Sequence, residues 1–289
     1  MSNQNNYKSL AKVMTAIALV GVMVGINLPL SSLTLKTWGV TSVVIGFSAS
    51  MVGLATVVIT PFFSKLINRY GQIQIMRFCL IILPISILFL PAFKNIYIWF
   101  FLRFIIGIAA TGIWLLSEVW INAFAEDKHR GKVIAVYSSV ISLGFIVGVL
   151  IMSFISIESG GGFYVSAFIS IVAAIPLWNM TDLPDYDVVE DISFYRYLLT
   201  APGLMGSSWM MGFLYAGTAA LLPIFALPYV QDDYSQSSRT VAWLASGELI
   251  CPLIVGWMAD RYDKARLMTY ISSISVLSLA ILPMIFNVP

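Results

Sequence analysis

The feature that most restricts this chain is a succession of nine long apolar runs, near residues 12–35, 42–63, 77–94, 96–122, 132–157, 162–180, 200–227, 239–260 and 266–287. About 20 apolar residues suffice for a helix to cross the hydrocarbon core of a bilayer. Inside that core every backbone N–H and C=O must be satisfied by the protein, which leaves helices and closed barrels as the spanning structures. Barrel strands alternate apolar and polar residues over about ten positions, and no such alternation appears here. Charged residues make up 10% of the 289, against about 25% in a soluble domain, so the chain could not cover itself with a water-facing surface. The expected fold is all-α, a polytopic membrane protein.

The first run is longer than the h-region of a secretory signal, about 7–15 residues, and no small-x-small cleavage pattern follows it; it reads as a retained first helix. Gly21, Pro29, Gly107, Gly144, Pro223 and Pro252 lie inside the runs, as membrane helices tolerate. Both cysteines, Cys79 and Cys251, also lie in apolar runs and read as packing residues rather than a disulfide or metal pair.

Basic residues in short loops set membrane orientation. Alternate segments, beginning with the N-terminus, hold Lys8, Lys12, Lys65, Arg69, Arg77, Lys128, Arg130, Lys132, Arg196, Arg261, Lys264 and Arg266; the opposite segments hold only Lys36, Lys94 and Arg239. Twelve against three places the N-terminus in the cytoplasm. A missed span would have scrambled that alternation.

The chain also repeats itself. Ser64-Lys65-Leu66-Ile67-Asn68-Arg69-Tyr70-Gly71 follows the second run, and Gly256-Trp257-Met258-Ala259-Asp260-Arg261-Tyr262-Asp263 ends the eighth, 192 residues later. Leu28-Pro29-Leu30 and Leu222-Pro223-Ile224 match at an offset of 194. Six helices are thus followed by the opening of a similar set, a common way of building transporters.

These segments resemble the loop signature of the major facilitator superfamily, Gly-x-x-x-Asp-Arg-x-Gly-Arg/Lys. The first copy has Ser64 and Asn68 where that signature has Gly and Asp, and keeps Arg69 and Gly71. The second keeps Gly256, Asp260 and Arg261 but has Asp263 in place of Gly. Arg103-Phe104-Ile105-Ile106-Gly107-Ile108-Ala109-Ala110 is similar to the family's Arg-x-x-x-Gly-x-x-Ala, and Arg130-Gly131-Lys132 to its fifth-helix opening. Arg103 to Glu118, with Ile113-Trp114 and Ser117-Glu118, further resembles a bacterial branch often called YcaD-like. The resemblance implies twelve helices in two bundles. The expectation is therefore a chain truncated after nine, with a six-helix bundle over 1–181, a cytoplasmic linker over 182–199 and a partial second bundle over 200–289. A ten-helix drug/metabolite-type transporter has a similar length but not this loop signature.

Charges at membrane depth cost about 2.5–3.5 kcal/mol on insertion scales and usually face a cavity or a partner. Arg103 lies roughly 13 Å from the outer end of its run at helical rise; Gly107, Ala110, Trp114 and Ser117 follow on its face, with Glu118 slightly around. That stripe suits a cavity lining, and a structural arginine bonded to backbone carbonyls is the competing reading. Glu248 lies near the middle of the eighth run, a candidate proton or cation site unless it is a permanently protonated carboxyl. Glu118 is either an inner gate or an interfacial carboxylate. By the resemblance, Asn27, Trp209 and Tyr215 belong to cavity-lining helices, against ordinary packing. Asn68, Arg69, Gly71, Gly256, Asp260 and Arg261 form a candidate conformational gate: an acidic side chain can accept from Arg and sit at a helix N-terminus, so uncharged Asn68 should make the first latch the weaker. Gly144-x-x-x-Gly148 permits close helix packing but lacks the Pro of the family's antiporter signature. Acidic Asp182 to Asp191 reads as the linker.

An enzyme is disfavoured. His129, the one histidine, sits between Lys128 and Arg130, and no HExxH, GxSxG, cysteine–histidine pair or phosphate-cradling glycine loop occurs. ATP-driven transport would need a nucleotide domain on another chain. The sequence-level expectation is a secondary transporter of a small organic solute, proton-coupled and monomeric, in the bacterial inner membrane, with no metal, cofactor or nucleic acid. A non-transporting scaffold or sensor with the same fold is the alternative, because fold does not dictate function.

Overall fold

The computed structural model describes residues 3–125, 130–157, 159–178, 180, 200, 202–259 and 261–286. The segment expected to be the linker, together with His129 and Asp260, lies outside these residues. The described residues form nine α-helices and no strand: α1 Asn3–Thr37, α2 Ser42–Tyr70, α3 Gln72–Phe89, α4 Ile96–Phe124, α5 Arg130–Met152, α6 Gly161–Trp178, α7 Pro202–Ala226, α8 Tyr234–Ala259 and α9 Lys264–Phe286. A short 3-10 turn, Leu227–Val230, follows α7. Each helix coincides with one apolar run. Among the described residues, α1 to α6 and the stretch Gly212–Val230 are long and apolar enough to cross a membrane.

Two ends show how local sequence stops and starts these helices. One residue, Gly71, separates α2 from α3, at φ 83° and ψ 151°, a conformation only glycine adopts without strain. Its N–H bonds back to the Ile67 carbonyl at 2.7 Å and closes α2. Asn95 starts α4: its Oδ1 accepts from the backbone N–H groups of Tyr97 at 2.9 Å and Ile98 at 3.3 Å, satisfying two donors that a helix start leaves open.

The first six helices share one core. α1 packs on α5 and α6, α4 packs on α2 and α3, α3 also meets α6, and α1 crosses α4 to close the ring. Val13, Ile17, Ile26, Leu33, Met76, Trp99, Trp120 and Phe163 lie in this core with almost no exposure. The α1–α5 seam is the tightest. A Cβ on Gly21 would fall 2.7 Å from the Ile141 carbonyl oxygen, and one on Gly25, Gly144 or Gly148 would strike the carbonyl of Phe145, Ala18 or Val22. Gly144-x-x-x-Gly148 therefore meets a second motif, Gly21-x-x-x-Gly25, and the two backbones interlock as small-x-x-x-small pairs do in membranes. At the far side of the bundle, Arg77 of α3 donates to the Trp178 carbonyl at the end of α6, from Nε at 3.0 Å and Nη2 at 2.8 Å, a cation on a helix C-terminus.

By contacts the chain divides into Met1–Ser246 and Gly247–Pro289. α7 packs on α1 and α2 and so joins the first unit. The start of α8 joins it as well: Val241, Ala242 and Ala245 pack with Phe145 and Val149 of α5, and the Ser237 hydroxyl donates to the Pro223 carbonyl.

Candidate functional site

Arg103 is the pivot of a buried polar chain in the first unit. Its side chain is 6% exposed, held among α1, α2 and α4. Nη1 donates to Ser31 Oγ at 3.3 Å and Nε to the Ser48 carbonyl at 3.5 Å. Ser31 Oγ donates to Asn27 Oδ1 at 3.0 Å, Asn27 Nδ2 to Ser166 Oγ at 3.3 Å, and Ser166 Oγ to the Met23 carbonyl at 3.4 Å. One line of hydrogen bonds thus runs from α4 through α1 to α6.

The local pattern explains the line. Asn27 and Ser31 are four apart on α1 and share a face, as do Ser166 and Ser170 on α6, where Ser170 Oγ donates to the Ser166 carbonyl at 2.9 Å. Gly107, one turn beyond Arg103, lets α4 approach α2 closely enough that a Cβ there would lie 2.7 Å from Ala55 Cβ. A guanidinium has five donors, and no carboxylate among the described residues pairs with this one. Three buried groups without a hydrogen-bond partner, Ser48 Oγ, Thr34 Oγ1 and Trp99 Nε1, belong to Arg103's own contact or to the adjoining turns of α1 and α4.

The stripe read along α4 divides into two environments. Arg103, Gly107 and Ser117 are buried, whereas Trp114 is 41% exposed and Glu118 half-buried. Trp114 Nε1 donates to Glu118 Oε1 at 2.8 Å, and the Trp114 ring meets Tyr137 of α5 edge-on with centroids 6.5 Å apart. A helix that crosses its neighbours changes partners along its length, so residues in register can still face different surroundings.

The remaining candidates are placed as follows. Asn27 joins Arg103 through Ser31. Trp209 is exposed on α7 and stacks on Phe213 of the same helix at 6.1 Å; Tyr215 is also exposed on α7, and neither enters the Arg103 chain. Asn68 and Arg69 are exposed at the end of α2, with Arg69 over the neighbouring Tyr70 ring at 5.3 Å. Gly71 is the α2–α3 junction. In the second unit Glu248 is half-buried, Gly256 lies in α8, and Arg261 is exposed between α8 and α9. Ser31, Ser48, Ser166 and Tyr137 were not foreseen. The Asn27–Ser31 spacing on an apolar helix was a usable signal; for the others no local signal exists.

The sequence model described as Major Facilitator Superfamily matches residues 13–288. The chain belongs to that superfamily. Its members are transporters rather than enzymes, and this one is a membrane-embedded protein whose family moves small molecules across a bilayer. It is 21% identical over 267 residues to an uncharacterized MFS-type transporter, YfkF, of Bacillus subtilis, covering 88% of this chain and 67% of that one. It is 26% identical over 262 residues to another from Yersinia enterocolitica, covering 86% and 64%. A shorter match, 23% over 163 residues, is to Multidrug resistance protein 2 of Bacillus subtilis, covering 55% and 40%. The chain thus spans about two thirds of the length of the first two relatives. Its fold is similar to a crystal structure of a bacterial homolog to the human lysosomal transporter Spinster, inward-facing and unoccupied. There the TM-score is 0.69 at 15% identity, over 91% of this chain and 64% of that one.

Proposed function

We propose that this major facilitator chain carries the first bundle, over 1–181, and the opening of the second, over 200–289, of a secondary transporter that moves a small organic solute by alternating access, driven by protons. Residues 182–199 are the linker, and the N-terminus faces the cytoplasm of a bacterial inner membrane, in keeping with the twelve-to-three bias of basic residues. The protein works as a monomer.

The observation that carries this reading is Arg103: a buried cation on a membrane helix, bonded to α1 and α2 and linked on to α6, with no carboxylate among the described residues beside it. A charge kept at membrane depth without a counter-ion is costly and marks a functional position. Arginine does not release its proton, so Arg103 holds a charge in place and the proton itself must ride on a carboxylate. Glu248 and Glu118, each within one of the long apolar runs, are the acids proposed for that role. The exposed Asn68–Arg69 pair and the Asp260–Arg261 pair are proposed as gate residues whose contacts differ between the two states, biasing one over the other.

The test uses proteoliposomes loaded with pyranine, to which small organic acids and amines are added in turn. At least one solute should evoke proton movement, and Glu248→Gln should remove the response while leaving solute binding intact. If Glu248→Gln retains full coupled uptake, the coupling assignment is wrong. If no solute moves at all, the scaffold or sensor reading takes its place.

A further inference from the structure

A half-buried carboxylate at the α4–α5 contact, named above as a proton carrier, also has a setting that selects a ligand. Glu118 lies six residues before the end of α4. One of its oxygens accepts the Trp114 indole N–H at 2.8 Å, and no basic side chain among the described residues pairs with the other. The Trp114 and Tyr137 rings meet edge-on at 6.5 Å, with an interplanar angle of 68°, so they form two walls at an angle beside the carboxylate. Tyr137 is 5% exposed and its hydroxyl has no hydrogen-bond partner. Trp114 is 41% exposed, which leaves the cluster open on one side.

These groups select a ligand by chemistry. A lone carboxylate calls for a positive charge. A hard metal ion would require about six or more oxygen ligands, and no group of three acidic, histidine or cysteine side chains that could hold a metal occurs among the described residues. Aromatic faces attract weakly hydrated cations, best where water is excluded. The buried Tyr137 hydroxyl, without a partner among the described groups, can accept from an N–H donor. We propose that Trp114, Glu118 and Tyr137 bind a hydrophobic protonated amine, with ammonium N–H groups donating to Glu118 Oε2 and Tyr137 Oη and its apolar substituents lying on the two rings. The site deepens the transporter reading by naming the charge class of the solute, and it rests on that reading for its consequence. It also gives Glu118 a role distinct from Arg103, whose fixed positive charge could not serve such a ligand.

Equilibrium dialysis of the full chain in lipid nanodiscs, against empty nanodiscs, tests the site with two probes of nearly equal shape: dibenzylamine, charged at neutral pH, and dibenzyl ether, which is neutral and has no N–H. The amine should show saturable binding above the empty-disc background and the ether should not. Glu118→Gln, which can still accept from Trp114 but carries no charge, should weaken amine binding about tenfold or more. Tyr137→Phe should weaken it about threefold with an unchanged melting temperature. Equal retention of amine and ether, or unaltered amine binding by Glu118→Gln, overturns the proposal. Should Glu118→Gln fail to fold, Trp114→Leu at its exposed position decides: undiminished amine binding is then the overturning result. Dialysis reads occupancy without flux, so absent binding removes this site alone. Binding without solute movement in proteoliposomes removes the transporter reading alone.

Discussion

In α1 and α5 the glycines Gly21, Gly25, Gly144 and Gly148 lie directly under the facing backbone, whereas in α7 Gly203, Gly206, Gly212 and Gly217 have nothing within 4 Å of where a Cβ would sit. Both sets belong to the same compact unit and to apolar helices of similar composition. The tryptophans divide in the same way. Trp120 of α4 is fully buried and donates from Nε1 to Gln72 Oε1 at 2.6 Å; Trp209 of α7 is 74% exposed. The difference teaches that residue type sets what a membrane helix can do and the neighbouring helix sets whether it does it. A glycine becomes a packing determinant only where a second backbone closes on it, and elsewhere it is a weak point in its own helix. The first six helices are held to one arrangement by close-packed shape. α7 meets α1 and α2 while leaving Trp209, Phe213 and Phe225 uncovered.

The largest expected effect is at the tryptophans. Trp120→Ala should cost about 3–5 kcal/mol through cavity formation, whereas Trp209→Ala should stay within about 0.5 kcal/mol, both read from thermal unfolding of the purified protein. Losses of similar size would break the contrast between the regions.

Next come the glycines. Gly25→Ala and Gly148→Ala force the α1 and α5 backbones apart, and each should cost about 1–3 kcal/mol. Gly212→Ala and Gly217→Ala should be neutral or stabilise α7 by about 0.5–1 kcal/mol. A stabilising Gly148→Ala would show that the α1–α5 seam is looser than its geometry.

A third comparison separates stability from function at Arg103. Ser31→Ala leaves the buried guanidinium short of an acceptor and should cost about 1–3 kcal/mol. Arg103→Met removes the charge and its demand together and should cost less than about 1 kcal/mol, yet solute movement in proteoliposomes should be lost. The double variant should regain the stability that Ser31→Ala alone loses. An Arg103→Met chain that both unfolds and fails to recover in the double variant would make this arginine structural.

The smallest effect is at Asp233, beyond the 3-10 turn that follows α7. Its carboxyl is held below its ordinary value chiefly by the Gln236 backbone N–H, helped by the Gln236 side chain, the Ser235 N–H and the charge of Arg239, against some desolvation. The contacts are 3.2 Å from Gln236 N, 2.9 Å from Gln236 Nε2 and 2.8 Å from Ser235 N. A depressed carboxyl stabilises the fold above its unfolded value of about 3.9 and loses that contribution as pH falls through the lower folded value. The gap in melting temperature between the parent chain and Asp233→Ala should therefore be constant near neutrality and narrow in acid. A gap that widens in acid would mean that the cap is not carried by the charge.

Much of the architecture was legible because membrane helices announce themselves one at a time. Each run from 12–35 to 266–287 contains enough apolar residues to settle its own state, but the runs left 64–76 between the second and third, and only the structure reduces that gap to the single residue Gly71. Arg103 could be flagged from its depth alone. Its partners could not. Ser31 and Ser166 are ordinary serines on apolar helices, 135 positions apart, and become a line of hydrogen bonds only when α1 lies between α4 and α6. Gly144-x-x-x-Gly148 was visible as a motif, but nothing local named Gly21-x-x-x-Gly25 as its counterpart. Trp114 and Arg103 share a helical face by register, and the crossing of α4 with its neighbours gives one an open side and the other a buried one.

By itself, then, the sequence determined the all-helical class, the nine segments, the repeat and the positions at which charge enters the apolar runs, since periodicity, hydropathy and turn chemistry act over a few residues. The tertiary structure alone decided which glycines face a backbone, that Asn27 serves Arg103 and that Tyr137 stands beside Trp114 and Glu118. Such pairings depend on which helix faces which across the bundle, and no single apolar segment carries the identity of its neighbour.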